Sequence, residues 1–178
     1  MADAVKPVFQ KKIVRSLVIL ALLITNVSCD QISKNIAREH IRYNQNIRLL
    51  NNYLTLTKVE NTGAFLSMGR SLPRSVNILL LIILPLVVLT IALMYLFIKS
   101  HLSVYKIVGI SLIIGGGLGN IYDRMFHGSV TDFLHIDFVL FQTGIFNLAD
   151  MSIMTGLFIL LYEEFSARIK VRLKASQE

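Results

Sequence analysis

Apolar residues come in four long runs along this chain, Ile13–Val27, Ile78–Ile98, Ile107–Ile121 and Phe146–Tyr162, with polar groups gathered at their ends. A helix rises 1.5 Å per residue, so runs of roughly 15–21 residues reach about 22–32 Å, the scale of a bilayer's hydrocarbon core. The pattern predicts a mainly α, polytopic membrane protein with four transmembrane helices, at about residues 13–29, 76–98, 107–125 and 146–164. Only the second run spans comfortably by itself. The others lean on flanking polar residues, which must then face protein at membrane depth. Between the first two spans, about residues 35–72, apolar and polar positions alternate around Tyr53–Val59, which predicts a short strand or hairpin on the membrane surface. No internal repeat or low-complexity linker divides the chain, so residues 1–178 read as a single membrane-embedded domain. Gly115 and Gly119 form a small-xxx-small pattern, expected to let helix backbones approach closely and to bring Asn120 and Arg124 near the fourth span. Pro85 is expected as a tolerated kink in the second.

Composition supports the bilayer reading: 54% of the 178 residues are apolar and the mean hydropathy is +0.62. The net charge of +7 gathers near both ends, at Lys6, Lys11, Lys12 and Arg15 and at Arg168, Lys170, Arg172 and Lys174. Beside apolar spans, such clusters favour anionic lipid on the cytoplasmic side over nucleic acid. Both termini and the short basic connection Lys99–Lys106 are then cytoplasmic, and Gly128–Ile145, which has no Lys or Arg, is outside. The segment Asp30–Arg74 carries seven Lys or Arg and disagrees, but it is long enough to fold by itself. A basic start, an apolar run and the single cysteine, Cys29, also suggest a lipoprotein signal peptide. Asn26 stands where a lipobox wants an apolar residue, and three more spans follow, so the first span is kept as mature protein.

With this topology, Asp30 and Lys34 lie at the outer end of the first span. Asn120, Asp123 and Arg124 lie at that of the third, and Asp132 and Asp150 at the approach to the fourth. Ionisable groups at membrane depth are costly and point to a functional site. Asp30 and Lys34, spaced i, i+4, can simply neutralise each other, and Asn120 and Arg124 share that spacing; Asp132 and Asp150 have no such basic neighbour. A zinc protease would need H-E-x-x-H and a serine hydrolase G-x-S-x-G, and neither occurs. His127, Asp132, His135 and Asp137 could bind a metal only in a spacing that fits no known signature. Cys29, with no nearby His, reads as a packing residue. Carboxylates remain: two Asp held close share a proton, so one can serve as base and the other as acid. The presenilin pattern fits poorly, because Gly117-Leu118-Gly119 is followed by Asn120 in the same span as Tyr122-Asp123. A proton-coupled transporter or lipid-binding protein, with Asp132 and Asp150 as relay groups, is a second reading. Against it stand the lack of repeats and the placement of the carboxylates at one face.

Five stations, taken in order, resemble one family: Asp30-Gln31-Ile32-Ser33-Lys34, Asn61-Thr62-Gly63-Ala64-Phe65, Gly115 to Arg124, Val130-Thr131-Asp132-Phe133, and Phe146-Asn147-Leu148-Ala149-Asp150. They look like the D-x-x-[ST]-K, N-x-G-x-x-F, G-G-x-x-G-N-x-x-D-R, V-x-D-F and F-N-x-A-D boxes of the lipoprotein signal peptidases (signal peptidase II). Two departures are Phe65 directly after Ala64 and Tyr122 at a commonly aliphatic position. The resemblance implies an aspartic intramembrane endopeptidase of the bacterial cytoplasmic (inner) membrane, acting near its outer face. It implies cleavage of diacylglyceryl-modified prolipoproteins just N-terminal to the lipid-modified cysteine. Asp132 and Asp150 would be the catalytic pair. Asn120, Arg124 and Asn147 would line and orient the site, and Asp30, Lys34, Asn61 and Gly63 would shape it. The outer segment would form a small β-sheet cradling the substrate. No metal or organic cofactor is implied, and the expected partners are the lipoprotein substrate and membrane lipid, with the enzyme as a monomer.

Overall fold

The computed structural model describes residues 2–63, 73–138 and 141–175. Its four long helices are α1 (Ala2–His40), α2 (Arg74–Ile98), α3 (Val104–Phe126) and α4 (Leu148–Ala175). Three strands, β1 (Asn46–Leu49), β2 (Leu54–Asn61) and β3 (Val130–Ile136), form an antiparallel sheet in that order. Among the described residues, three helical stretches are long and apolar enough to cross a membrane: Lys12–His40, Arg74–Ile98 and Val104–Phe126. The residues of the fourth expected span lie mostly in α4, which is not one of those three stretches and whose apolar part runs between Asp150 and Glu163-Glu164.

Glycine is what allows α3 to pack against three partners at once. A Cβ on Gly115 would sit 2.8 Å from Asn26, and one on Gly119 would sit 2.4 Å from Asp30 Oδ2, both on α1. A Cβ on Gly116 would meet the Ala149 carbonyl oxygen of α4 at 2.4 Å, and one on Gly117 would meet Leu89 of α2. Contacts rise together along α1 and α3, so these two run parallel. Gly109 lies against Gly156, so α4 runs antiparallel to α3. At the far end, Arg15 donates to the carbonyls of Leu96 (2.7 Å) and Ser100 (3.0 Å), answering acceptors that the end of α2 leaves free. The dry core is small (Ile19, Leu23, Leu89, Leu96, Ile114 and Ile121), while residues such as Ile24, Val88, Ile91 and Phe158 are exposed on the bundle's outside. A bundle with an apolar exterior is what lipid solvation permits.

Two elements differ from the sequence expectation. The first helix does not stop near Cys29; it continues to His40, because Asp30, Lys34, Ala37 and Ile41 keep a buried face turned to α3, α4 and the sheet. Cys29, expected to pack, is exposed, because it lies about 100° round the helix from the buried Asp30. In α2 a π-turn, Leu79–Ile83, immediately precedes Leu84 and Pro85. A proline lacks the N–H and crowds the carbonyl four residues back, and the wider turn accommodates both.

The expected strand around Tyr53–Val59 is β2, paired with β1 (Leu49 opposite Leu54) and with β3 (Val59 opposite Asp132, Asn61 opposite Val130). A bulge between Leu56 and Val59 shifts the register. Phe133 packs with Ala37 of α1 and with Ile41 just past its end, which ties the sheet to the helices beside the polar residues.

Candidate active site

Asp150 stands in the first turn of α4, and Asn147 caps that helix. Asn147 Oδ1 accepts from the Asp150 N–H (3.0 Å), and Asp150 Oδ2 accepts from the Asn147 N–H (3.2 Å). This reciprocal exchange is a capping box, which satisfies two otherwise orphaned donors and fixes both side chains. The amide of Asn147 then points outward and donates Nδ2 to Asp132 Oδ1 at 2.6 Å. Asp132 comes from the buried stretch of β3, and its Oδ2 accepts from Asn61 Nδ2 (3.1 Å) across the sheet. Asn61 is held in turn, because its Oδ1 accepts from the Gly63 N–H. One asparagine therefore touches both carboxylates.

Asp132 is 4% exposed, and burial pushes its carboxyl up to about 6. The donor from Asn61 opposes that shift, the nearby Asp150 charge adds to it, and Asn147 and Lys34 oppose it. A carboxyl with that profile keeps its proton to higher pH than an ordinary aspartate does.

The remaining oxygen of Asp150 belongs to a chain of orienting contacts. Asp150 Oδ1 accepts from Asn120 Nδ2 (2.9 Å), and Asn120 Oδ1 accepts from Lys34 Nζ (2.8 Å). Lys34 thus decides which end of the Asn120 amide faces Asp150. Lys34, fully buried, also pairs with Asp30 (2.7 Å) and Asp123 (3.1 Å), and Arg38 approaches Asp123 at 2.9 Å. Two cations and two carboxylates close a balanced cluster beneath the site. Asp30 uses its other oxygen to accept from the Ala149 N–H (2.9 Å), adding a further cap to the start of α4. Gln31 ties the cluster together through Asp30, Asp123 and the Gly119 carbonyl.

A cleft of about 340 Å³ opens onto both carboxylates, with Asn61, Asn120 and Arg124 in its wall and Leu81 and Pro85, at the π-turn, opposite. Arg124 donates to the Gly63 (2.8 Å) and Asn120 (3.2 Å) carbonyls, while its buried Nε has no acceptor among the described residues.

All nine singled-out residues fall into this constellation. Asp30 pairs with Lys34 as the spacing suggested, but Arg124 meets the backbone rather than the side chain of Asn120. Ala64 and Phe65 lie outside the described residues. Among the described residues, no group of three or more His, Cys, Asp or Glu stands in a metal-holding arrangement. The sequence reading did not place Arg38, Gln31, Glu60 and Thr131 in the network. Thr131 Oγ1 accepts from Arg38 Nε (2.8 Å) and donates to Glu60 (3.1 Å). The i, i+4 and i, i+3 spacings from Lys34 to Arg38 and from Gln31 to Lys34 were the available signal.

The comparisons agree with one another. The family model described as signal peptidase (SPase) II matches residues 20–166. A lipoprotein signal peptidase of Streptococcus agalactiae (strain NEM316) is 33% identical over 147 residues, covering 83% of this chain and 91% of the relative. One of Rickettsia conorii is 32% identical over 155 residues, covering 86% and 76%. A solved structure described as a bacterial membrane enzyme superposes with a TM-score of 0.75 at 22% identity, covering 84% of this chain and 88% of that one, which shows a shared fold. On the matched span, the close relatives and the fold together, the chain belongs to the signal peptidase II family of proteases.

Proposed function

We propose that this chain is an aspartic endopeptidase that removes the signal peptide from diacylglyceryl-modified prolipoproteins, cutting N-terminal to the lipid-modified cysteine. Asp132 and Asp150 are its catalytic pair. The observation that carries the reading is Asn147, whose side chain binds Asp132 while its cap fixes Asp150, with both carboxylates on one cleft. The relatives named lipoprotein signal peptidase supply the substrate class.

The chemistry follows from the unequal surroundings of the pair. Ionised Asp150 takes a proton from a water as the water oxygen adds to the scissile carbonyl carbon. Protonated Asp132 gives its proton to the carbonyl oxygen. The resulting gem-diol collapses: the C–N bond breaks, Asp150 passes its proton to the leaving nitrogen, and Asp132 recovers a proton from the hydroxyl. The pair ends as it began. Arg124, whose buried Nε has no acceptor among the described residues, holds a substrate carbonyl. Asn120, Lys34, Asn61, Gly63 and Asp30 act by orienting these groups.

The single peptidase domain, residues 1–178, sits as a monomer in the bacterial inner membrane, with four spans and both termini cytoplasmic. The sheet and the cleft lie at the outer face, where a signal peptide's cleavage site emerges. Purified Asp132→Asn and Asp150→Asn should each lose cleavage of a lipid-modified prolipoprotein peptide by several orders of magnitude while staying folded, since paired catalytic groups act as a unit. Substantial turnover by either folded variant overturns the dyad.

A further inference from the structure

The end of the sheet away from the carboxylates is unexpectedly apolar. Leu49, Leu50 and Tyr53 surround the β1–β2 turn, and Phe138, just after β3, donates its N–H to the Phe141 carbonyl. The Asp137 N–H donates to the Tyr53 carbonyl, so the β1–β2 turn lies beside the end of β3. All five side chains are exposed, Leu50 at 73% and Phe141 at 66%. Leu50 also has a φ of 49°, followed by Asn51 at 55° and Asn52 at 72°. Asparagine tolerates that left-handed backbone; leucine does not favour it, and a tip facing water would be better served by Gly or Asn. Nothing among the described residues covers this leucine.

Position and charge indicate what does. Four residues of strand, about 13 Å, separate Asp132 from Ile136 and carry the tip away from the carboxylates. From His40 to Val59 the sequence has Arg42, Arg48 and Lys58 but no Asp or Glu. Leucine and aromatic rings flanked by cations are the composition of a membrane-water interface beside anionic headgroups. The exposed apolar face of α1 continues up to Ile32 and Ile36, on the helix against which the sheet packs.

We propose that Leu49, Leu50, Tyr53, Phe138 and Phe141 form a lipid-inserting anchor. They dip into the interfacial region of the outer leaflet while Arg42 and Arg48 meet anionic headgroups. The anchor fixes the height of the sheet, and hence of Asp132, relative to the lipid. This rests on the outer-face placement proposed above but not on the identity of the catalytic pair.

The chain has no tryptophan, so Leu50→Trp creates a sole indole. The full-length variant is reconstituted in vesicles of phosphatidylcholine and phosphatidylglycerol, with or without lipid brominated near the top of the acyl chain. Ile24→Trp, exposed within α1, serves as the in-bilayer reference, and Phe138→Trp is the second reporter should Leu50→Trp fold poorly. The expected result is blue-shifted emission, at least half quenched by bromolipid and insensitive to aqueous iodide. Emission quenched by iodide and unaffected by bromolipid overturns the proposal. So does shielding from both quenchers, which would mean that a protein surface covers the tip. The fluorescence needs no substrate, so its outcome is independent of whether Asp132 and Asp150 cut.

Discussion

Lys34 shows how much one side chain can organise. It neutralises Asp30 and Asp123 and fixes the amide that faces Asp150. Lys34→Ala leaves two buried carboxylates with one cation, and removing one partner of a buried pair costs about 3–5 kcal/mol. The expected outcome is a clear drop in melting temperature in detergent, measured by scanning fluorimetry; an unchanged value would contradict the pairing. Asp132 gives a second prediction at this scale. Its folded-state pKa, about 6, lies above the ordinary carboxyl value of 3.8, so the protonated form favours the fold. The contribution is fully present below pH 3.8 and is lost as the pH rises through about 6. At full extent the shift corresponds to about 3 kcal/mol. Wild type should therefore lose stability between pH 4 and 7 along a slope that Asp132→Asn largely lacks. Activity should fall on the alkaline side as the acid of the pair loses its proton. Parallel stability profiles for the two proteins would show that Asp132 does not carry this proton.

Among the elements, α3 is the one whose backbone must not thicken. A methyl on Gly116 would collide with the Ala149 carbonyl, one residue from Asp150, and backbone cannot yield as a side chain can. A methyl on Gly117 would meet only the end of the Leu89 side chain. Gly116→Ala should thus shift the start of α4 and lower kcat by roughly 100-fold, the scale of a misplaced catalytic group. Gly117→Ala should cost far less, and comparable losses in kinetic assays would contradict the contact. The glycine spacing made this packing legible in the sequence, and the i, i+4 spacing did the same for Asp30 and Lys34. The length of α1 was not legible, because the apolar run ends at Val27, and what continues the helix to His40 is long-range: Asp123, Thr131 and Phe133 meet Arg38 and Ala37 from distant parts of the chain. Cys29 misled for a related reason, since one residue's rotation separates the buried face from lipid. The cap at Asn147 is local and was visible as a motif, whereas its second bond, to Asp132, depends on where β3 lies.

For the molecule as a whole, the small core and the apolar exterior make the bilayer part of the structure, and the substrate is proposed to arrive through the same medium. A diacylglyceryl cysteine is held firmly in lipid by two chains and fixed in depth beside the cleft, while a bare peptide must order and position its own cleavage site. Binding energy from such a remote group supports rate at the reacting centre, so loss of the lipid should lower turnover as well as binding. The most direct measurement is a side-by-side assay of one prolipoprotein peptide, with and without the diacylglyceryl group, in detergent micelles, with products identified by mass spectrometry. The account predicts cleavage of the modified peptide alone, on the amino side of the modified cysteine. Cleavage of both peptides at comparable rates, or of neither by active, folded enzyme, would contradict it.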